Sequence, residues 1–201
     1  SRGLGMGSLV TVVREGGELA GCVVPRDHAA LGTVSAVTLQ GCLLAAGIAL
    51  TPRYGGLLDM SDGKARQFAE LIAYAGTTLD PLAIFMRARL TRIREWARTG
   101  VGPIGATVGE FPAVALPDVT RIARQLAAAG LGSPLAIGRP HQPLLGVPVA
   151  EDRALLVAPD GANPLAALLE SGLSNDIRPL AGLADFTRFE PFHALRDRIT
   201  S

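Results

Sequence analysis

The sequence predicts an α+β chain built as two ferredoxin-like α/β plaits of the split β-α-β kind. Three observations lead there. The second half reads strand, helix, strand, strand, helix, strand in order. The helices carry explicit start and stop chemistry, with Asp or Asn followed by Pro at the entry and Gly at the exit. The strands are short, β-branched and apolar, and Gly- or Pro-containing turns separate them.

Residues 1–7 read as a tag or linker remnant, 8–100 as the first subdomain and 101–201 as the second. Ser8–Arg14 is a strand closed by the Gly16-Gly17 turn. Thr33–Thr38 is a second strand candidate, and Leu39–Ala46 a short helix stopped by Gly47. Ile48–Thr51 and Gly56–Met60 are extended, and Ser61-Asp62-Gly63 turns the chain into Gln67–Tyr74. Asp80-Pro81 then opens a helix in which Leu82, Phe85, Met86, Leu90, Ile93 and Trp96 recur at three- and four-residue steps, ending at Gly100. Arg87, Arg89, Arg92, Arg94 and Arg98 lie mainly on its other face, suited to solvent or to contact with another domain or partner.

Beyond the joint at Gly100-Val101-Gly102, Ile104–Val108 is a strand and Pro117–Ala129 a helix with Val119, Ile122, Ala123 and Leu126 inward. Leu135–Gly138 and Arg153–Ala158 are strands separated by the Pro-rich stretch beginning at Arg139. Asn163-Pro164 caps a helix running to Gly172, and Ile177–Ala184 supplies the last strand.

Composition narrows the function classes. Lys and Arg number 19 against 18 Asp and Glu, a net charge of +1, so the chain lacks the basic excess of a duplex-binding module. With 18% charged residues and a mean hydropathy of +0.32, it is compact and core-rich. Its apolar runs are broken well short of a membrane span, and no basic segment followed by an apolar stretch opens it. Cys22 and Cys42 lack Cys-x-x-Cys spacing, which fits buried thiols in a reducing, cytoplasmic compartment, with a lone disulfide as the alternative.

Catalytic chemistry leaves no recognisable linear trace. His28, His141 and His193 sit in no nucleophile or metal-ligand pattern, and neither a Gly-x-x-x-x-Gly-Lys loop nor a Gly-x-Gly-x-x-Gly turn follows a strand. Aromatics are 4% of residues, too sparse for base-stacking platforms. No enzyme activity, cofactor or metal is therefore expected.

What stands out is polar chemistry at the element ends. Arg53-Tyr54-Gly55-Gly56 sets a guanidinium beside two unhindered amides. Thr77-Thr78-Leu79-Asp80-Pro81 offers hydroxyls at a helix start, where the dipole favours an anion. Arg139-Pro140-His141-Gln142 adds a cation in a stiff loop, and Asp160 to Pro164 makes another helix entry. Each alone is a turn or cap. Together, Arg53, Gly55, Gly56, Thr77, Thr78, Arg139 and His141 form a candidate cleft for a small dicarboxylate, since bidentate arginines and helix amides suit that geometry. The competing reading pairs Arg53 and Arg139 with Asp59, Glu110 or Asp160 and makes the loops purely structural.

These segments carry a resemblance. Gly32-Thr33-Val34, Arg53-Tyr54-Gly55-Gly56-Leu57-Leu58, Tyr74 to Pro81, Glu110-Phe111-Pro112-Ala113, Gly138 to Val149, Asn163-Pro164 and Gly182 to Phe186 occur in this order along almost the whole chain. The series resembles the regulatory domain of the NrpR family of nitrogen-metabolism repressors, with the Gln142-to-Pro148 stretch the most specific part. The chain departs from the family pattern at Leu90-Thr91, Gly109, His141 and Asp160. The resemblance implies an effector-sensing, homodimeric domain responding to 2-oxoglutarate. It also implies that DNA is read by a winged-helix domain absent from this chain, and that no membrane is involved.

Overall fold

A computed structural model describes residues 4–178 and 182–195. The chain runs β1 (Leu9–Arg14), β2 (Glu18–Leu19), β3 (Cys22–Val23), β4 (Ala29–Thr33), α1 (Ala36–Ala45), β5 (Thr51–Ser61), β6 (Lys64–Ala73), α2 (Pro81–Arg87), α3 (Ile93–Thr99) and β7 (Gly102–Pro112). It continues with α4 (Leu116–Ala128), β8 (Ala136–Ile137), β9 (Arg153–Pro159), α5 (Asn163–Glu170) and β10 (Glu190–Pro191). A five-stranded sheet in the order β6-β5-β7-β9-β8 forms the centre, beside a three-stranded β10-β1-β4 sheet and the small β2-β3 hairpin.

The mixed α/β character expected from the sequence is present, in antiparallel sheets. The plait detail is not seen. Every neighbouring pair in the central sheet is antiparallel, so it lacks the parallel pair that a β-α-β crossover leaves. β5 and β7 lie on either side of Gly100 in sequence and pair from Thr51↔Glu110 to Met60↔Gly102, so this sheet runs across the position read as a joint.

β9 shows why the sheet is buried on both faces. Ala154, Leu156 and Ala158 pack with Leu39 and Leu43 of α1 and Val119, Ile122 and Leu126 of α4. The alternate residues, Leu155 and Val157, pack with Leu58, Met60, Ile104 and Val108, together with Leu82, Met86, Ile93 and Trp96. The Gln142–Val149 stretch belongs to this second cluster. Val147 is fully buried, Leu144 pairs with it, and the Leu145 carbonyl accepts from the Phe68 amide of β6 at 3.2 Å. The prolines therefore stiffen a packed strap.

Several local readings are corrected. Thr33–Thr38 is no strand: β4 ends at Thr33, and Ser35 caps α1, its hydroxyl accepting from the Val37 amide at 3.3 Å. A side-chain oxygen ahead of the first turn outweighs the β-branched residues behind it. The extended stretches Ile48–Thr51 and Gly56–Met60 are joined through the single strand β5.

The long helix from Asp80 to Gly100 is two helices. Arg89 takes φ +57°, and the Arg89 and Leu90 amides fold back to the Met86 and Phe85 carbonyls at 3.0 Å each. That is a helix-ending turn usually built on Gly. Leu90, inward by period, is exposed, while Leu82, Met86, Ile93 and Trp96 still share one core. The periodicity survives because both helices pack on the same sheet. The last strand, expected at Ile177–Ala184, lies partly outside the described residues at 179–181. Its described residues form no strand, and β10 supplies the C-terminal pairing instead. No helix among the described residues is long and apolar enough to cross a membrane.

Asn163, expected as a cap, lies inside α5, and its side chain turns to β7. Its Nδ2 donates to the Gly105 carbonyl at 2.9 Å, and its Oδ1 accepts from the Gly105 amide at 2.9 Å, all of it buried. The β7–β9 ladder ends at Ala106↔Pro159, so the amide side chain replaces a missing strand residue. Gly105 is needed there, because a Cβ would run into the Leu82 side chain and lie 2.8 Å from Asn163 Oδ1. At the other end of α5, Glu170 caps α3: it accepts from the Thr91 hydroxyl, the Ile93 amide and the Arg94 amide, each at 2.9 Å. Arg92 at the cap position makes no such bond. Asn163→Ala leaves the buried Gly105 amide without its acceptor, at about 1–3 kcal/mol for an unsatisfied group, while the Gly105 carbonyl keeps the bond from the Asp160 amide at 3.0 Å. We expect a loss of ~1–3 kcal/mol of unfolding free energy in a urea titration, and at least a comparable loss for Asn163→Asp, which keeps the acceptor for the Gly105 amide but sets a buried charge against the Gly105 carbonyl.

Candidate functional site

The antiparallel register decides which loops meet. Thr51↔Glu110, Tyr54↔Ala73, Pro112↔Arg153 and Ile137↔Leu156 place the start of β5, the ends of β6, β7 and β8, and the start of β9 at one end of the central sheet. Arg53, Thr77, Thr78, Arg139 and His141 all belong to this end. Strand pairing sets which of these strand ends lie side by side.

At its centre is a carboxylate. The Glu110 side chain is 11% exposed and its Oε1 lies 3.6 Å from Arg53 Nη1 and 4.0 Å from Arg153 Nε. Both separations exceed the 2.7–3.2 Å of an N–H···O hydrogen bond, so the attraction is Coulombic. Arg53 and Arg153 are 45% and 46% exposed, leaving one side of each guanidinium to solvent. His141, at φ +60°, donates its amide to the Arg153 carbonyl at 3.2 Å and accepts from the Asp152 amide on Nδ1 at 3.3 Å. Arg139 is exposed, immediately after Gly138, whose amide bonds the Leu155 carbonyl at 2.8 Å. It makes no ion pair with the described residues.

The remaining expected residues are engaged locally. Gly55 and Gly56 are buried: a Cβ on Gly55 would meet Pro81 at 2.8 Å, and one on Gly56 would meet the Glu70 carbonyl at 2.5 Å. Their smallness lets α2 and β6 approach β5. The Thr77 hydroxyl closes its own turn on Leu79, donating to the carbonyl at 3.1 Å and accepting from the amide at 3.2 Å. Asp80 accepts from the Leu82 amide at 3.1 Å, so the start of α2 already carries its anion. Thr78 is exposed beside it.

Sequence reasoning missed Arg153 and saw Glu110 only as a salt-bridge partner. The available signal was parity: Arg153 shares its strand face with Leu155 and Val157, and Glu110 with Val108. That coincidence matters only once β7 and β9 are known to pair. Arg153 also borders an open depression of about 630 Å³ lined further by Pro112, Ala113, Val114, Glu151 and Asp152. Among the described residues, no group of three or more His, Cys, Asp or Glu comes together to hold a metal.

This fold has a solved counterpart in the repressor class. The chain is similar over 94% of its length to 75% of a crystallised nitrogen repressor-like protein from Methanococcus jannaschii, with a TM-score of 0.70 and 25% identity. The family model for NrpR regulatory domains NRD1 and 2 matches residues 1–191, and the chain belongs to that family, one of regulatory domains and not of enzymes. Among curated relatives, it is 32% identical over 163 residues to the global nitrogen regulator NrpRI of Methanosarcina mazei, covering 81% of this chain and 50% of that protein. It is 28% identical over 172 residues to the global nitrogen regulator NrpR of Methanocaldococcus jannaschii, covering 86% of this chain and 29% of that protein. The chain thus spans half or less of the length of these relatives.

A second polar feature lies on the same sheet. Burial pushes the Asp160 carboxyl up to about 6 from an ordinary 3.8. The bond it accepts from the Ala162 amide at 2.7 Å works against this, and nearby Asp80 reinforces it. Burial likewise raises the Tyr74 hydroxyl, which pairs with the Thr107 hydroxyl at 3.4 Å, and Asp160 and Asp80 add to the shift. Because the folded Asp160 binds its proton more tightly than the unfolded one, its contribution to stability is full below about pH 4. It is lost as pH rises through about 6. Asp160→Asn keeps the acceptor for Ala162 and stays neutral. It is expected to exceed the parent in stability by roughly 1–3 kcal/mol above pH 6.5, with the difference shrinking as pH falls towards 4. Melting temperatures at pH 4.5 and 7.5 check this, and an equal difference at both would contradict it.

Proposed function

We propose that this chain is the effector-sensing and dimerisation domain of a transcriptional repressor of nitrogen metabolism. It responds to a small dicarboxylate such as 2-oxoglutarate, and DNA is read by a winged-helix domain elsewhere in the full protein. The observation that carries this reading is the convergence of Arg53 and Arg153 on Glu110, with Arg139 and His141 on the adjoining strand ends. Guanidinium forks with free edges are suited to carboxylates. The near-neutral net charge of +1 supports operator contact by another part of the protein. Two-fold operators require a two-fold reader, hence a homodimer.

The tight packing around Gly55 and Gly56 favours a second reading, in which the loops only fix the fold. Titration calorimetry separates the two. Arg53→Ala and Arg153→Ala should each weaken 2-oxoglutarate binding by about 1.5–3 kcal/mol, roughly ten- to a hundredfold. No heat of binding in the parent, or unchanged affinity in both variants, would support the structural reading. Sedimentation equilibrium at tens of micromolar (roughly the range where weak dimers show) should give a dimer.

A further inference from the structure

We propose that Glu110 sets the charge class of anion accepted at the strand-end site, by acting as a built-in counter-ion to the arginine pair. This rests on reading the cluster as an anion site, and it names the residue that selects among anions. The geometry is specific. One carboxylate oxygen, on a side chain almost removed from solvent, faces two half-exposed guanidinium groups at 3.6 and 4.0 Å. Neither guanidinium donates a hydrogen bond to a described residue, and neither has a further described partner. Glu110 therefore holds both cations in place by Coulomb attraction while their N–H donors stay available. An arginine offers five such donors in a fixed fork, so a ligand carboxylate can engage Arg53 or Arg153 bidentately without first breaking a hydrogen bond.

Charge decides the rest. Arg53 and Arg153 against Glu110 leave one positive charge at the cluster, and Arg139 stands exposed on the adjoining strand end. Glu151 and Asp152 stand in the exposed turn before β9, where water and salt screen them; Glu110 is the acid placed where screening is weak. Two guanidinium forks can take two carboxylates, one each. A third carboxylate on the ligand would be set against Glu110 with no cation left for it. Glu110 is thus a positioning and specificity residue, favouring dicarboxylates over tricarboxylates.

The test uses Glu110→Gln in the same protein, with 2-oxoglutarate, citrate and inorganic sulfate as probes, read by calorimetry and by thermal shift. Removing the internal anion should tighten citrate binding by about ten- to a hundredfold, more than it tightens 2-oxoglutarate. Sulfate should then raise the melting temperature of the variant more than that of the parent. If the variant melts cooperatively and gains affinity for neither citrate nor sulfate, the inference is overturned. Should Gln prevent folding, Glu110→Asp retracts the carboxylate from both arginines by one methylene and gives the same direction in smaller measure. Affinities equal to the parent would then overturn it. A parent that ignores 2-oxoglutarate counts against the proposed effector alone, because the comparison of variant with parent for citrate and sulfate stands without it.

Discussion

The paired hydrogen bonds between the Asn163 side chain and the Gly105 peptide tie α5 to β7 of the central sheet. They stand where the β7–β9 ladder runs out and where α5 must begin, so they satisfy a buried peptide and orient a helix together. α5 then carries Glu170 to the start of α3, whose orphan amides have no other acceptor among the described bonds. One short helix thereby links strand, sheet face and a second helix through polar contacts at its two ends. The apolar residues of α3 and α5 share the second core cluster. Burial supplies most of the stabilisation, but burial has no direction. The hydrogen bonds choose which of many similar packings is adopted.

Register does for the site what Asn163 does for the core. Glu110 and Arg153 lie near the ends of adjacent strands on the same sheet face as Val108 and Leu155, and Arg53 reaches them across the neighbouring pair. A slip of one residue would send Glu110 to the face occupied by Phe111 and scatter the arginines. The buried hydrophobic alternation of β9, fully committed on both faces, makes that slip costly. The strand positions that carry the cluster are therefore fixed by the sheet core, although its arginines are half exposed.

The segments that identify the family are mostly structural in this chain. Gly55 and Gly56 let neighbouring elements approach, Asp80 caps α2, Asn163 clamps β7, and the Gln142–Val149 stretch straps the sheet. Arg53, Glu110 and Arg139 come from the same segments, but Arg153 lies outside them. A resemblance carried by packing residues defines the fold firmly and says less about the ligand. That is why charge and geometry at Glu110, and not the motif series, bear on what the site selects.

The sequence by itself determined most of the element types, the mixed α/β class and the family. β1, α4, β9 and the α5 region were legible because caps, prolines, terminal glycines and hydrophobic period are local, and local energies decide them. Even there, the αL turn at Arg89 split a helix whose period looked continuous, since core packing rewards inward residues on both sides of a break. Tertiary structure alone decided the strand order, the sheet that crosses Gly100, the inward turn of Asn163 and the meeting of Arg53 with Arg153 on Glu110. Those contacts join residues far apart in the chain. Their energies depend on pairing and burial that no short window of sequence contains, which is why Arg53 could be proposed from the sequence, Glu110 only as one of three possible partners, and Arg153 not at all.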